Sequence, residues 1–372
     1  MSASEVFTVR GTSNAADPLT AFADALWQAV GGLLKAGGTP GTMRGMVWTA
    51  PNPAALSPQR RVIDRLYREA LGGARTSVTV QAGDAIAVEI AAVKAPAPNP
   101  EPVWHGLSRA ELAREYSPRN QVPDMRPLFR QWTRDGVAWR ANHSAIDIHY
   151  GKSPDETFDL YLPKGKKAPP VWMFIHGGYW QATGKEQHAQ YMQGMLDAGY
   201  AVANVDYTLC PDIPLSGIVD QIGACIDFIA ANGSALGVDG ASIHVSGHSA
   251  GGHLSAMMAA RQTGAPIKSA LLLSGLFDMT PFPFLPMAKV IGVTSAEHVA
   301  ALSPILRKSR AAKIGVALGD LESAEFKWQS DAIATAWGAP KPLHLAGANH
   351  FSLLDGLNAG SLLALAKATA SA

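Results

Sequence analysis

The sequence predicts an α/β fold, a mostly parallel sheet with helices on both faces, preceded by a small α+β domain. Three observations predict it. From about residue 145 onward, short apolar runs alternate with stretches of helical spacing, the pattern of parallel strands joined by crossover helices. A run of prolines at alternate positions, from Pro96 to Pro102, interrupts the chain ahead of that pattern. Finally, Gly247-His248-Ser249-Ala250-Gly251 stands between a β-branched strand and an alanine-rich helix, where a tight strand-to-helix turn lifts a serine hydroxyl above a parallel sheet.

The small domain is placed at residues 1–93, the proline-rich linker at 94–103 and the larger domain at 104–372. A linker of this composition favours an extended spacer and continues neither strand nor helix. In the first domain, Leu19, Phe22, Leu26, Val30 and Leu33 recur at helical spacing, and Gly37-Gly38 end that helix. Met46–Thr49 is a strand. Ser57-Pro58 opens a second helix, with serine as cap and proline in the first turn. Strands at Thr76–Gln81 and Ala85–Val93 flank a Gly-Asp turn.

In the larger domain, Ala145–His149 and Thr157–Leu162 read as an opening hairpin. Val171–Ile175, Ala201–Asp206, Ile243–Ser246, Ser269–Ser274, Lys313–Leu318 and Leu343–Ala346 are short apolar runs suited to buried parallel strands. Gln187–Ala198, Leu215–Ala231, Gly252–Arg261 and Ser323–Trp337 are the predicted helices between them.

Composition narrows the function. A net charge of +1 over 372 residues offers no electrostatic footing for nucleic acid or an anionic membrane. Two cysteines, Cys210 and Cys225, form no disulfide framework and read as buried thiols of a reducing compartment. No signal peptide and no uninterrupted apolar span are visible, so a cytoplasmic location is expected.

A serine nucleophile needs a base to take its proton and a third group to orient that base. In the α/β-hydrolase arrangement the chain order is serine, acid, histidine. His350, after the last strand, is the candidate base, with His344 a weaker rival inside that strand. Asp320 and Glu322 both follow the penultimate strand and both qualify as the acid, with Asp278 further back. Glu325 reads as a carboxylate complementing the first turn of the following helix. The oxyanion hole calls for backbone N–H groups aimed at developing negative charge. Ala250, following the serine, and Gly177, Gly178 and Tyr179, following an early strand, are placed to supply them. Tyr179, Trp180 and Gln181 then border the substrate pocket, with Tyr207, Phe277, Phe282, Phe284 and Phe351 as further apolar walls. The eleven histidines show no His-Glu-X-X-His spacing, so no metal site is expected.

From about Glu115 to the C-terminus the chain resembles the kynurenine formamidase (arylformamidase) branch of the α/β-hydrolases, close to the hormone-sensitive-lipase-type esterases. The residues that carry the resemblance are Glu115-Tyr116-Ser117-Pro118-Arg119, Tyr150-Gly151 with Phe158-Asp159-Leu160-Tyr161, His176-Gly177-Gly178-Tyr179-Trp180, Gly247-His248-Ser249-Ala250-Gly251-Gly252-His253-Leu254 and Asn349-His350-Phe351-Ser352. General esterases usually carry a third glycine where this chain has Tyr179. Glu322-Ser323-Ala324-Glu325-Phe326 is similar to the family's acid loop, with glutamate replacing its usual aspartate. The resemblance therefore implies Glu322 as the acid, leaves Asp320 as the alternative, and implies hydrolysis of an N-formyl arylamine such as N-formylkynurenine without metal or cofactor. A carboxylesterase acting on small esters uses the same machinery and is the competing reading; a vestigial, non-catalytic hydrolase fold is a third.

The N-terminal ninety or so residues resemble the RidA (YjgF) family through Ala36-Gly37-Gly38-Thr39, Ala74-Arg75-Thr76-Ser77 and Val88-Glu89-Ile90. That resemblance implies a carboxylate-binding role for Arg75, a site role for Glu89, and a homo-oligomer, specifically a trimer formed through this domain. It also opens the reading of a bifunctional hydrolase and imine deaminase.

Overall fold

The structure is a computed structural model in which residues 6–15, 17–38, 42–54, 60–71, 76–93, 101–122, 126–143 and 147–371 are described. The chain divides into two compact units, Met1–Pro100 with Arg126–Arg130, and Glu101–Met125 with Gln131–Ala372.

The first unit contains β1 (Val6–Ser13), α1 (Pro18–Lys35), β2 (Met43–Ala50), α2 (Arg60–Leu71), β3 (Val78–Ala82) and β4 (Ile86–Val93). Its sheet runs β1-β4-β2-β3, with β4 antiparallel to both neighbours and β2 parallel to β3. Asp17 starts α1 by accepting the Thr20 amide at 2.7 Å, and Pro18 occupies the first turn, where no N–H is needed. Phe22, Leu26, Val30 and Leu33 of α1 are buried, as their spacing predicts. The sequence reading lacked β1. Its apolar positions alternate with Thr8, Arg10 and Thr12, and it lies at the sheet edge, where a strand buries little. Glu89 lies on β4, half-buried and in register with Arg10 of β1 and Val47 of β2. Arg75 and the Ser57-Pro58 helix start lie outside the described residues.

The second unit begins with β5 (Pro102–Trp104), β6 (Leu107–Ser108), α3 (Arg109–Glu115) and α4 (Arg126–Asn142), whose first five residues belong to the other unit. Pro102 thus opens a strand within the span expected to be linker, at the strand position where a missing N–H costs least. The rest comprises β7 (Asp147–His149), β8 (Thr157–Tyr161), β9 (Pro170–Ile175), α5 (Gln193–Asp197), β10 (Ala201–Val205), α6 (Leu215–Leu236), β11 (Asp239–His248) and α7 (Ala250–Ala259). Then follow β12 (Ser269–Leu273), α8 (Ala288–Ile291), α9 (Ala296–Leu302), β13 (Lys313–Gly319), α10 (Ala324–Trp337), β14 (Leu343–Leu345) and α11 (Gly360–Ala370).

The eight-stranded sheet is ordered β14-β13-β12-β11-β9-β10-β8-β7. The β7–β8 hairpin is antiparallel, as predicted, and β8 is antiparallel to β10. The other six strands are parallel. From β9 to β13 the apolar residues are mostly buried on both sides, which is why these strands read as continuous runs, while Leu343 and Leu345 of β14 are half-buried. The predicted helix over 187–198 is instead a 3-10 segment, Lys185–Met192, followed by the short α5. There the Lys185 carbonyl accepts from the Asn204 side chain at 2.8 Å, a partner outside any helical ladder. No helix among the described residues is long and apolar enough to cross a membrane. Cys210 and Cys225 are buried, and neither forms a disulfide among the described residues.

One feature of this order positions the site. From β9 the chain passes to β10 on one side, then α6 carries it back to β11 on the other side of β9. The strand order reverses at β9, and in open α/β sheets ligands bind at the carboxyl ends of the strands where it does so. The residues after β9 are His176 to Trp180, and the residue after β11 is Ser249.

Candidate active site

Ser249 has φ 57° and ψ −117°, a left-handed backbone that costs a non-glycine residue about 1–3 kcal/mol and persists only where its surroundings enforce it. Here the Ser249 amide donates to the Leu273 carbonyl at 2.8 Å, and its own carbonyl receives the His253 amide at 3.1 Å. The flanking glycines are sterically required. A Cβ on Gly247 would lie 2.3 Å from the Gly251 carbonyl oxygen, and one on Gly251 would lie 1.9 Å from that of Ile175 in β9. Helix, elbow and strand therefore approach backbone to backbone.

The loop after β9 lies directly against this elbow. A Cβ built on Gly177 would be 3.2 Å from the Ser249 Cβ. Gly178, Tyr179 and Trp180 follow with φ of 94°, 52° and 58°, three successive left-handed residues. The Gly178 carbonyl accepts from the amides of Gln181 and Ala182, each at 3.0 Å, which closes the turn. Among the described residues none accepts a hydrogen bond from the amides of Gly177, Gly178, Tyr179 or Ala250. These four donors are available to a developing oxyanion.

The candidate acid Glu322 and the candidate base His350 lie side by side. His350 Nδ1 lies 2.7 Å from Glu322 Oε2. Glu322 Oε1 accepts the Gly319 amide at 2.9 Å and the Ser274 hydroxyl. Two donors on one oxygen and an imidazole on the other fix the carboxylate. With Nδ1–H donating to Glu322, the His350 Nε2 lone pair is left to accept a proton. Asp320, the alternative acid, makes no such contact; its amide donates to the Leu345 carbonyl and its Oδ1 is buried without a partner. Ser249, His350 and Glu322 are only 3%, 2% and 4% exposed, so hydrogen bonds to developing charge act in a poorly solvated site.

Two contacts here carried no signal in the sequence. His248 Nε2–H donates to the His350 carbonyl at 2.7 Å, tying the histidine loop to the residue before the nucleophile. Burial, with His350 and His188 nearby, holds the His248 pKa well below the ordinary histidine value, so it stays neutral. Ser274, at the end of β12 with φ 45°, is the second. His248 fills the first variable position of Gly-X-Ser-X-Gly, which by itself calls for no particular side chain.

The side chains around these loops are mostly buried. Trp180 exposes no surface; its indole packs edge-on against His253 and near Phe282, with centroids 5.1 and 5.9 Å away. It belongs to the buried core, as do Tyr207, Phe277 and Phe282. Gln181 is 2% exposed and turns its Nε2 back to the Tyr179 carbonyl at 3.1 Å. Phe284 and Phe351 retain partial exposure. Glu325 stands in the first turn of α10, as expected, and is also a buried acceptor for Trp104 Nε1 at 2.9 Å and the Tyr116 hydroxyl at 3.2 Å, with His105 Nδ1 at 2.9 Å.

With this geometry in view, residues 158–274 match the BD-FAE family model, a span holding both the oxyanion loop and the elbow. Kynurenine formamidase of Danio rerio is 27% identical over 278 residues, covering 68% of this chain and 93% of its own length. Carboxylesterase NlhH of Mycobacterium tuberculosis (strain ATCC 25618 / H37Rv) is 37% identical over 163 residues, 43% of this chain and 46% of that protein. A crystal structure from Silicibacter sp. TM1040, provisionally described as a thioesterase, superposes with a TM-score of 0.62 at 27% identity, covering 68% of this chain and 98% of that one. Fold and relatives together make this chain a hydrolase built on the α/β-hydrolase fold.

Proposed function

We propose that the chain is a serine hydrolase that cleaves a small N-formyl arylamine, with Ser249 as nucleophile, His350 as base and Glu322 as the acid that orients it. The observation that carries this reading is the buried Glu322–His350 pair, with His350 bound through its carbonyl to the residue before an elbow serine. In the reaction, Ser249 Oγ attacks the formyl carbon while His350 Nε2 takes its proton. The oxyanion is held by the amides of Gly178, Tyr179 and Ala250, with Gly177 beside them. Collapse expels the arylamine, which receives the proton from His350. Water, deprotonated by the same imidazole, then hydrolyses the formyl-serine ester to formate. Glu322 stays ionised throughout and stabilises the imidazolium.

The formamide is favoured by the relatives named kynurenine formamidase, which match over two thirds of this chain. The carboxylesterase relative supports ester hydrolysis by the same residues as the second reading. Turnover of N-formylkynurenine and p-nitrophenyl acetate by wild type and Ser249→Ala decides. A higher kcat/KM on the formamide, abolished in Ser249→Ala, is expected. Preference for the ester would favour the second reading, and full activity in Ser249→Ala would remove both.

A further inference from the structure

Three consecutive left-handed residues at 178–180 hold their conformation only if something outside the loop restrains them. Part of the restraint is through the backbone: the Gly178 carbonyl takes two amides of its own turn, and the Trp180 carbonyl accepts the Cys210 amide at 2.7 Å. The remaining anchor is distant in sequence. The Tyr179 hydroxyl donates to the backbone carbonyl of Tyr116, 63 residues earlier.

Tyr116 is itself fixed. It is 1% exposed, its hydroxyl donates to Glu325 and accepts from Gln329 Nε2 at 2.8 Å, and its ring meets Phe282 edge-on at 5.6 Å. The preceding carbonyl, that of Glu115, accepts the Ser323 hydroxyl at 2.8 Å. Ser323 caps α10 and follows Glu322 directly, and Phe326 of the same turn packs on the His350 ring at 4.6 Å. One dipeptide thus touches both loops that handle charge in the reaction: the oxyanion loop through Tyr179, and the acid loop through Ser323.

We propose that Glu115–Tyr116 is a positioning strap that sets the oxyanion loop against the acid–histidine arm, with the Tyr179 side chain as the positioning residue on the oxyanion side. The inference rests on the Ser249 reading above. Its logic is geometric. A donor displaced by about 1 Å from a developing oxyanion loses about a hundredfold in rate, while substrate binding, which does not use the oxyanion, is spared.

The test uses the full chain and an alkyl fluorophosphonate. In labelling, Ser249 Oγ bonds to phosphorus, fluoride leaves, and the hydroxyl proton passes to His350, so the step needs the same oxyanion donors. For Tyr179→Phe, which keeps the ring, the maximal inactivation rate should fall about 10- to 100-fold. The inhibitor's binding constant should stay within about twofold and the thermal midpoint within a few degrees. Tyr116→Phe, which removes the hydroxyl's bonds to Glu325 and Gln329 of α10 but keeps the accepting carbonyl and the Ser323–Glu115 tie, should show a smaller fall in the same rate. A wild-type inactivation rate in Tyr179→Phe, or a loss confined to binding, would overturn the strap; should that variant not fold, a wild-type rate in Tyr116→Phe would do so. A wild-type chain left unlabelled at Ser249 would overturn the serine-hydrolase reading, and the strap with it.

Discussion

Replacing Glu322 by glutamine isolates the orienting charge while barely changing volume, and the surroundings of this side chain dictate how the amide must sit. One carboxylate oxygen accepts the Gly319 amide and the Ser274 hydroxyl; the other faces His350 Nδ1. The Gly319 N–H can only donate, so the glutamine oxygen must take that side and its NH2 must point at the imidazole. An NH2 there demands an accepting Nδ1, which moves the histidine proton to Nε2. In that tautomer Nε2 cannot receive the Ser249 proton. The loss should therefore resemble that of other triads whose orienting carboxylate becomes an amide, about 10⁴-fold in kcat or about 5.4 kcal/mol of transition-state stabilisation. Asp320→Asn, on the neighbouring carboxylate that does not meet His350, should retain at least half of the activity. The assay is kcat on p-nitrophenyl acetate and N-formylkynurenine, with circular dichroism to establish folding. Glu322→Gln retaining a tenth of wild-type kcat, or Asp320→Asn losing as much as Glu322→Gln, would refute the assignment.

Other outcomes follow from the same structure. Gly251→Ala drives a methyl into the Ile175 carbonyl oxygen, so soluble protein labelled by a fluorophosphonate at more than a hundredth of the wild-type rate would contradict the elbow geometry. Asp159 is fully buried and receives Arg140 at 2.6 and 2.9 Å, Lys185 at 3.1 Å and the Tyr161 hydroxyl at 2.9 Å. Asp159→Asn leaves those cations undercompensated and should cost about 3–5 kcal/mol, read from the urea midpoint. Burial holds His253 at about 4, and His248 lies well below its ordinary value. Unfolded chains bind these protons below about pH 6.5 and the folded chain does not, so stability present above that pH is lost as it falls toward 4. His253 alone should cost about 2 kcal/mol between pH 7 and pH 5, and equal urea midpoints at the two values would refute it.

Much of the larger unit was legible because its signals are local. Buried parallel strands need apolar side chains on both faces, so β9 to β13 appear as short uninterrupted runs whatever their neighbours. The elbow is legible for the same reason: the required glycines lie within two residues of the serine. By contrast, α4 escaped notice because Arg126, Arg130, Arg134 and Arg140 dilute its apolar spacing, and β1 because an edge strand carries a weak alternation.

By itself, then, the amino-acid order determined the strands of the larger sheet, the helices α6, α7 and α10, and the loops that carry serine, glycines and histidine, since each is written in neighbouring residues. Only the tertiary structure set Glu322 rather than Asp320 against His350, buried Trp180 in the core, and brought Ser274 to Glu322, His248 to the His350 carbonyl and Tyr116 to Tyr179. These depend on contacts between residues tens to hundreds of positions apart, where side-chain length and the direction of a loop, not spacing along the chain, decide which atoms meet.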